Sequence, residues 1–197
     1  MRKILRSDEN PLDNVLIDIS DWLCPAFKKI GFTPNRITFL SLLFALISLW
    51  FLWRYNMILF TVFYFISYFF DCMDGHFARR YKMTSKGGDM FDHGKDVSVN
   101  ILLVFILFYR FPVSNKIRIQ AIVILLLISL LMCAHLGCQE RIYPKDESGT
   151  LSFTKKLCIG KDPKQTIKWT RWAGCGTWCI VLILVVWWIN HNRLSKK

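Results

Sequence analysis

At 197 residues the chain fits a single domain, and 53% hydrophobic with 15% aromatic side chains is too apolar for an ordinary soluble one. A formal charge of +12 would suit nucleic acid, but most of the basic residues flank long apolar runs. Nucleic-acid binding is therefore set aside in favour of a charged rim at a membrane, in contact with anionic lipid headgroups.

The first thirty residues lack an uninterrupted apolar core, so no cleavable signal peptide is expected. Asn10 and Pro11 read as the N-cap and first residue of a helix. Leu12, Leu16, Ile19, Leu23, Phe27 and Ile30 then recur at helical spacing, with Asp13, Asp18, Asp21 and Lys28 largely off that stripe. Trp22 suits headgroup depth and Pro25 is a candidate kink. An interfacial helix in the membrane plane is favoured here over one packed on the protein's own spans.

Five apolar runs follow: Ile37–Trp53, Met57–Phe77, Met90–Phe108, Ile117–His135 and Trp172–Ile189. A span needs about 20 residues of helix, and the second and third runs approach that only by including acidic residues at one end. The expected fold is all-α, a polytopic transmembrane bundle preceded by an interfacial amphipathic helix. Residues 1–33 form the amino-terminal segment, 34–190 the membrane domain and 191–197 a basic tail.

Basic residues alternate between the connections. Arg2, Lys3, Arg6, Lys28, Lys29 and Arg36 precede the first span. Arg79, Arg80, Lys82 and Lys86 follow the second, and Arg141, Lys145, Lys155, Lys156, Lys161, Lys164 and Lys168 follow the fourth. The other two loops hold little beyond Arg54, Arg110 and Lys116. The positive-inside rule then puts the amino terminus in the cytosol. The seven Cys residues form no CxxC pair and read as small apolar fillers rather than disulfides or zinc ligands. His135 and Cys138, three apart, read as packing.

The chemistry lies between the second and third spans. Asp71, Asp74, Gly75 and Ala78 are spaced three, four and seven apart, and Gly88, Asp92 and Asp96 step by four, so each set shares one helical face. Two consecutive helices thus present carboxylates and small residues to a common cleft at the cytosolic boundary. Four carboxylates there would repel one another, and bound cations remove the penalty. Oxygen ligands without Cys or a paired His suit Mg²⁺ or Mn²⁺, ions that bridge phosphate oxygens. Gly75, Ala78 and Gly88 leave the backbone open to a flat ring or a phosphate. Arg79 and Ser85 are placed to hold further phosphate oxygens.

These residues resemble the signature of the CDP-alcohol phosphotransferases, D-x-x-D-G-x-x-A-R-x(8)-G-x-x-x-D-x-x-x-D, at every specified position from Asp71 to Asp96. Thr33-Pro34-Asn35, with Thr38 after it, is similar to the family's donor-binding start of its first spanning helix. The resemblance is firm from about residue 33 to the end of the third span. It implies one metal on Asp71, Asp74 and Asp92, a second among Asp71, Asp92 and Asp96, and Asp96 as general base. It implies donor contacts from Pro34, Asn35, Gly75, Arg79 and Ser85, beside the small Ala78 and Gly88. An acceptor hydroxyl would attack the β-phosphorus and CMP would leave.

Members of the family usually cross the membrane six times, one more than the runs here, which implies a missing last helix or one supplied by a second copy in a homodimer. The short chain, and Lys168-Trp-Thr-Arg171-Trp before the last span, look most like the phosphatidylinositol-synthase group. That group uses CDP-diacylglycerol and a soluble alcohol such as inositol, with Arg171 as an acceptor contact. Phe91-Asp92-His93-Gly94 instead looks like choline and ethanolamine phosphotransferases, whose donor is CDP-choline or CDP-ethanolamine and whose acceptor is diacylglycerol. Outside enzymes, an ion pathway would not require the Gly, Ala and Arg positions, and an inactive scaffold would be expected to have lost an Asp.

Overall fold

A computed structural model describes residues 2–143, 152–160 and 162–194. Lys145 and Lys161, counted above among the basic clusters, and residues 195–197 of the basic tail lie outside the described residues. Seven α-helices are present among those described: α1 (Pro11–Lys29), α2 (Pro34–Trp53), α3 (Met57–Arg80), α4 (Lys86–Arg110), α5 (Asn115–Ile142), α6 (Pro163–Thr170) and α7 (Cys175–Leu194). Short 3₁₀ turns at Ser152–Leu157 and Arg171–Ala173 lead into α6 and α7.

The helix starts follow from local chemistry. Asn10 caps α1, its side chain accepting from the Leu12 amide, and Pro11 occupies the first turn. Thr33 does the same for α2 ahead of Pro34, and Ser85 caps α4 through the Gly88 amide. Once started, the spanning helices sort side chains as a bilayer demands. On α2, Ser41, Ala45 and Ser48 turn inward while Phe39, Leu43, Leu46 and Trp50 stay exposed. Small residues let the helices approach closely, and the large apolar ones face lipid, which costs nothing there.

Among the described residues, four helical stretches are long and apolar enough to cross a membrane: Pro34–Trp53, Met57–Arg80, Asn115–Ile142 and Pro163–Leu194. The remaining expected span, in α4, does not qualify on composition because Asp89, Asp92, Lys95 and Asp96 fill its first half. Its second half nonetheless exposes Val97, Ile101, Val104, Phe105 and Phe108 along one side. The core joins Leu49, Leu52, Phe60, Tyr64, Leu103, Phe111, Cys179 and Val186, drawn mainly from α2, α3, α4 and α7. α2 packs against both α3 and α4.

Helix α1 rests on the bundle along one side and leaves apolar residues exposed on another. It runs unbroken through Pro25, and its buried face is Asp13, Asn14, Leu16, Ile17, Ser20 and Cys24, set against α3 and α7. Ile19 and Ile30 of the apolar stripe are exposed, together with Val15 and with Trp22 at 79%. Polar side chains are buried because the bundle offers partners. Tyr68 donates to Asp13 at 2.5 Å, Ser20 to the Leu16 carbonyl at 2.8 Å, and the Asn10 amide to the Arg171 carbonyl and Thr177 hydroxyl at 2.7 and 2.9 Å.

The reading of every cysteine as a filler is also corrected. Cys138 at the end of α5 and Cys158 after the first 3₁₀ turn form a disulfide, twenty residues apart in sequence. With Ile167 they make a small core that ties α5 to α6. His135 sits in the same joint, bonded to Thr170 at 3.2 Å and Gln139 at 2.8 Å.

Candidate metal and phosphate site

At one end of the bundle, α3 and α4 bring their acidic faces together. Asp71, Asp74 and Asp92 each place a carboxylate oxygen within 4.8 Å of the others, a spacing that lets one divalent ion reach all three. The donor set is carboxylate oxygen throughout, which suits a hard cation. The three differ in setting. Asp74 is 5% exposed and accepts from the Thr38 hydroxyl at 2.6 Å, so α2 fixes its orientation. Asp71 and Asp92 are partly exposed. Asp96 stands one turn beyond, its side chain 50% exposed, outside the group of three.

Beside these carboxylates opens a cleft lined by Pro34, Asn35, Thr38, Asp74, Gly75, Ala78, Met83, Thr84, Ser85, Gly88, Asp89 and Asp92. Six of the residues singled out in the sequence as donor contacts therefore share one wall system: Pro34, Asn35, Gly75, Ala78, Ser85 and Gly88. The first turns of α2 and α4 both border this cleft. Helix N-termini carry unpaired amides and a partial positive charge, which favour phosphate. The need for glycine is visible at Gly88, where a Cβ would meet Ser85 Oγ at 3.0 Å and Asn35 Oδ1 at 3.2 Å. Arg79 folds back over Gly75, its guanidinium 3.2 Å from where a Cβ would stand. A larger groove, bounded by Leu46, Leu49, Trp50, Trp53, Arg54, Leu102 and Ile106, lies at the far end of α2 and contains no carboxylate.

Sequence reasoning missed Lys95. Its ammonium is buried among the carboxylates, donating to Asp71 and lying 3.1 Å from both Asp92 Oδ1 and Asp96 Oδ1. The signal was present: Lys95 is the one Lys or Arg between Lys86 and Arg110. Arg171, expected near an acceptor, is not brought to this cleft. It donates to the Ser7 carbonyl and lies over the Trp172 ring, which spends it on holding the amino-terminal segment.

The amino-terminal segment adds acidic groups behind the site. Burial, and then the nearby Asp13, push the Glu9 carboxyl up to about 7, while the Asn10 amide, Lys3 and Arg79 pull the other way. Burial likewise raises Asp13, opposed by hydrogen bonds from Tyr68 and the Gly176 amide. Midway along α1, Asp21 is held below the usual carboxylate range by its hydrogen bond to His76, and also by Arg80.

A family model described as CDP-alcohol phosphatidyltransferase matches residues 32–194. The chain belongs to that family. No curated protein and no solved structure matches it. As a CDP-alcohol phosphatidyltransferase it is an integral membrane transferase, of a family that moves a phosphatidyl group from a CDP-alcohol to an alcohol and uses divalent metal, for which Asp71, Asp74 and Asp92 are the candidate ligands. The matched region contains the whole carboxylate cluster and every residue of the cleft.

Proposed function

We propose that this member takes its phosphatidyl group from CDP-diacylglycerol and transfers it to the hydroxyl of a small soluble alcohol, an inositol-like polyol, releasing CMP in phospholipid synthesis. The observation that supports this most is the meeting of Asp71, Asp74 and Asp92 with a cleft walled by two helix N-termini and bare glycines. The charge alternation assigns this end to the cytosol.

The cytidine and its two phosphates lie along Gly75, Ala78 and Gly88, against Pro34, Asn35 and Ser85, with Arg79 over Gly75 able to swing onto a phosphate oxygen. Mg²⁺ or Mn²⁺ on Asp71, Asp74 and Asp92 supplies positive charge to the phosphate oxygens. Asp96, half exposed and outside that group of three, is the general base. It takes the proton from the acceptor hydroxyl as the oxygen bonds to the β-phosphorus. The bond from that phosphorus to the bridging oxygen breaks, and CMP leaves with the electron pair. A carboxylate committed to metal is a poor base, so the least committed of the four fills this role. Met90, 70% exposed, and Phe91 lie between Asp89 and Asp92 on α4, an exposed apolar pair suited to a donor with acyl tails.

The test is CMP release by purified protein in detergent, with CDP-diacylglycerol or CDP-choline as donor and a panel of alcohols. Release is expected from CDP-diacylglycerol with a soluble polyol, and EDTA should abolish it. Preference for CDP-choline, with phosphatidylcholine formed from added diacylglycerol, would transfer the assignment to the choline and ethanolamine group. Turnover that survives exhaustive chelation would remove the metal from the reading.

A further inference from the structure

The carboxylates that the family resemblance assigns to a second metal, Asp71, Asp92 and Asp96, already surround a cation. Lys95 Nζ donates to Asp71 Oδ1, lies 3.1 Å from Asp92 Oδ1 and from Asp96 Oδ1, and is 3.2 Å from Ser41 Oγ. Its side chain is 3% exposed. An ammonium has three N–H donors, and four oxygens from α2, α3 and α4 surround these. The socket is fixed from behind as well. Ser41 Oγ donates to the Ser67 carbonyl at 3.0 Å, and Ser67 Oγ donates to the Ser41 carbonyl at 2.9 Å.

A divalent ion on this second set would need its oxygens at about 2.0–2.1 Å. Those are the oxygen atoms the ammonium holds, so ion and ammonium compete for one position and repel each other if both stay. The first set is different. Asp74 takes its hydrogen bond from Thr38 rather than from Lys95, and its carboxylate remains turned toward Asp71 and Asp92. One half of the cluster is therefore filled by the chain itself, and the other half is built for a cation from outside.

We propose that Lys95 is a resident cation standing in the place of the second metal, so that the chain holds one divalent ion, on Asp71, Asp74 and Asp92. Lys95 acts as a positioning residue: it neutralises the inner carboxylates and fixes the Asp96 carboxylate at the rim, within reach of an acceptor hydroxyl. The inference rests on the proposed phosphatidyl transfer for the identity of the site, but the metal count is measured without turnover.

The experiment uses the full chain in detergent, stripped with EDTA and titrated with Mn²⁺, with bound ions counted by equilibrium dialysis and their coupling read by electron paramagnetic resonance. Wild type should bind one Mn²⁺ per chain and give the spectrum of an isolated ion. Lys95→Met, which keeps the side-chain length and removes the charge, should bind two, with the spin coupling of ions about 3.5–4 Å apart. Asp74→Asn should empty the wild-type site. Should Lys95→Met fail to fold, the wild-type count and spectrum decide alone. Two coupled Mn²⁺ in wild type would overturn the inference and leave the phosphatidyl-transfer reading standing, and so would a single ion in both proteins. One Mn²⁺ in wild type without CMP release from any CDP donor would do the reverse.

Discussion

Aromatic faces meet cations at both ends of the bundle, but one end adds carboxylate partners. At the carboxylate end, Lys95 is buried against Asp71, Asp92 and Asp96, and Arg80 pairs with Asp21 at 2.6 Å. At the far end the arginines meet aromatic faces. Arg110 lies 4.8 Å from the ring centres of both Trp53 and Tyr55, and Arg193 lies 3.6 Å from that of Tyr55. Tyr55 adds a hydrogen bond to the Arg110 carbonyl at 2.6 Å and holds a left-handed backbone, φ 60°, at the turn between α2 and α3. A guanidinium over a ring can leave its face without rearranging anything else. A buried ammonium among carboxylates cannot leave without exposing unpaired charges. One end is built to hold a fixed geometry, and the other to seal the bundle at the membrane surface.

The contrast breaks most severely at Asp71, which bonds Lys95 and belongs to the three-carboxylate group. Asp71→Asn should lose Mn²⁺ affinity and lower CMP release by about a thousandfold, since a metal contributes several kcal/mol and each 1.36 kcal/mol is tenfold. Both effects are read by dialysis and a CMP assay. Asp96→Asn comes next. It should retain its Mn²⁺ and slow transfer roughly a hundredfold, the lower range for losing a general base. Full turnover in that variant would remove Asp96 from the chemistry. A smaller effect is expected at the cleft wall. Gly88→Ala forces Ser85 or Asn35 aside and weakens the α4 cap, so the KM for the CDP donor should rise roughly fivefold, the scale of about 1 kcal/mol. Gly87→Ala, with nothing within 4 Å of the added carbon, should leave it unchanged. The smallest effect belongs to the far end. Arg193→Ala should cost about 0.5–1 kcal/mol of stability, seen as a slightly lower unfolding temperature, with CMP release intact.

How much of this was legible depends on whether a feature is carried by spacing. The faces of α3 and α4 were, because intervals of three, four and seven leave no choice once the chain is helical. The Asn10 cap followed from the same kind of local rule. Which wall a third helix supplies is set by packing, and here α2 reaches the cleft with Asn35 and orients Asp74 through Thr38. Lys95 escaped notice because its long side chain can enter the bundle or reach back to solvent, and sequence does not choose between them. The inward face of α1 was not legible for a related reason. An apolar stripe predicts burial only where the neighbouring surface is apolar, and α1 meets Tyr68 and the backbone of Gly176 instead. The Cys138–Cys158 pair has no spacing signal at all.

The contact of α1 with α7 has a consequence for how the protein is made. Asp13 accepts from the Gly176 amide at 3.2 Å, across 163 residues of sequence, and Gly174 and Gly176 have no room for a Cβ because Asn10 and Asp13 press against them. At synthesis rates of about 5–20 residues per second, the ribosome needs roughly 8–33 s to travel from one to the other. Only after 55 of those residues does Tyr68 exist as a partner for Asp13, and the backbone donor that completes its pairing comes later still. Helix α1 is therefore secured late, and the wall it forms behind the carboxylates closes only once α7 is in place. Completion of the site is timed by α7 rather than by the two helices that bear the signature.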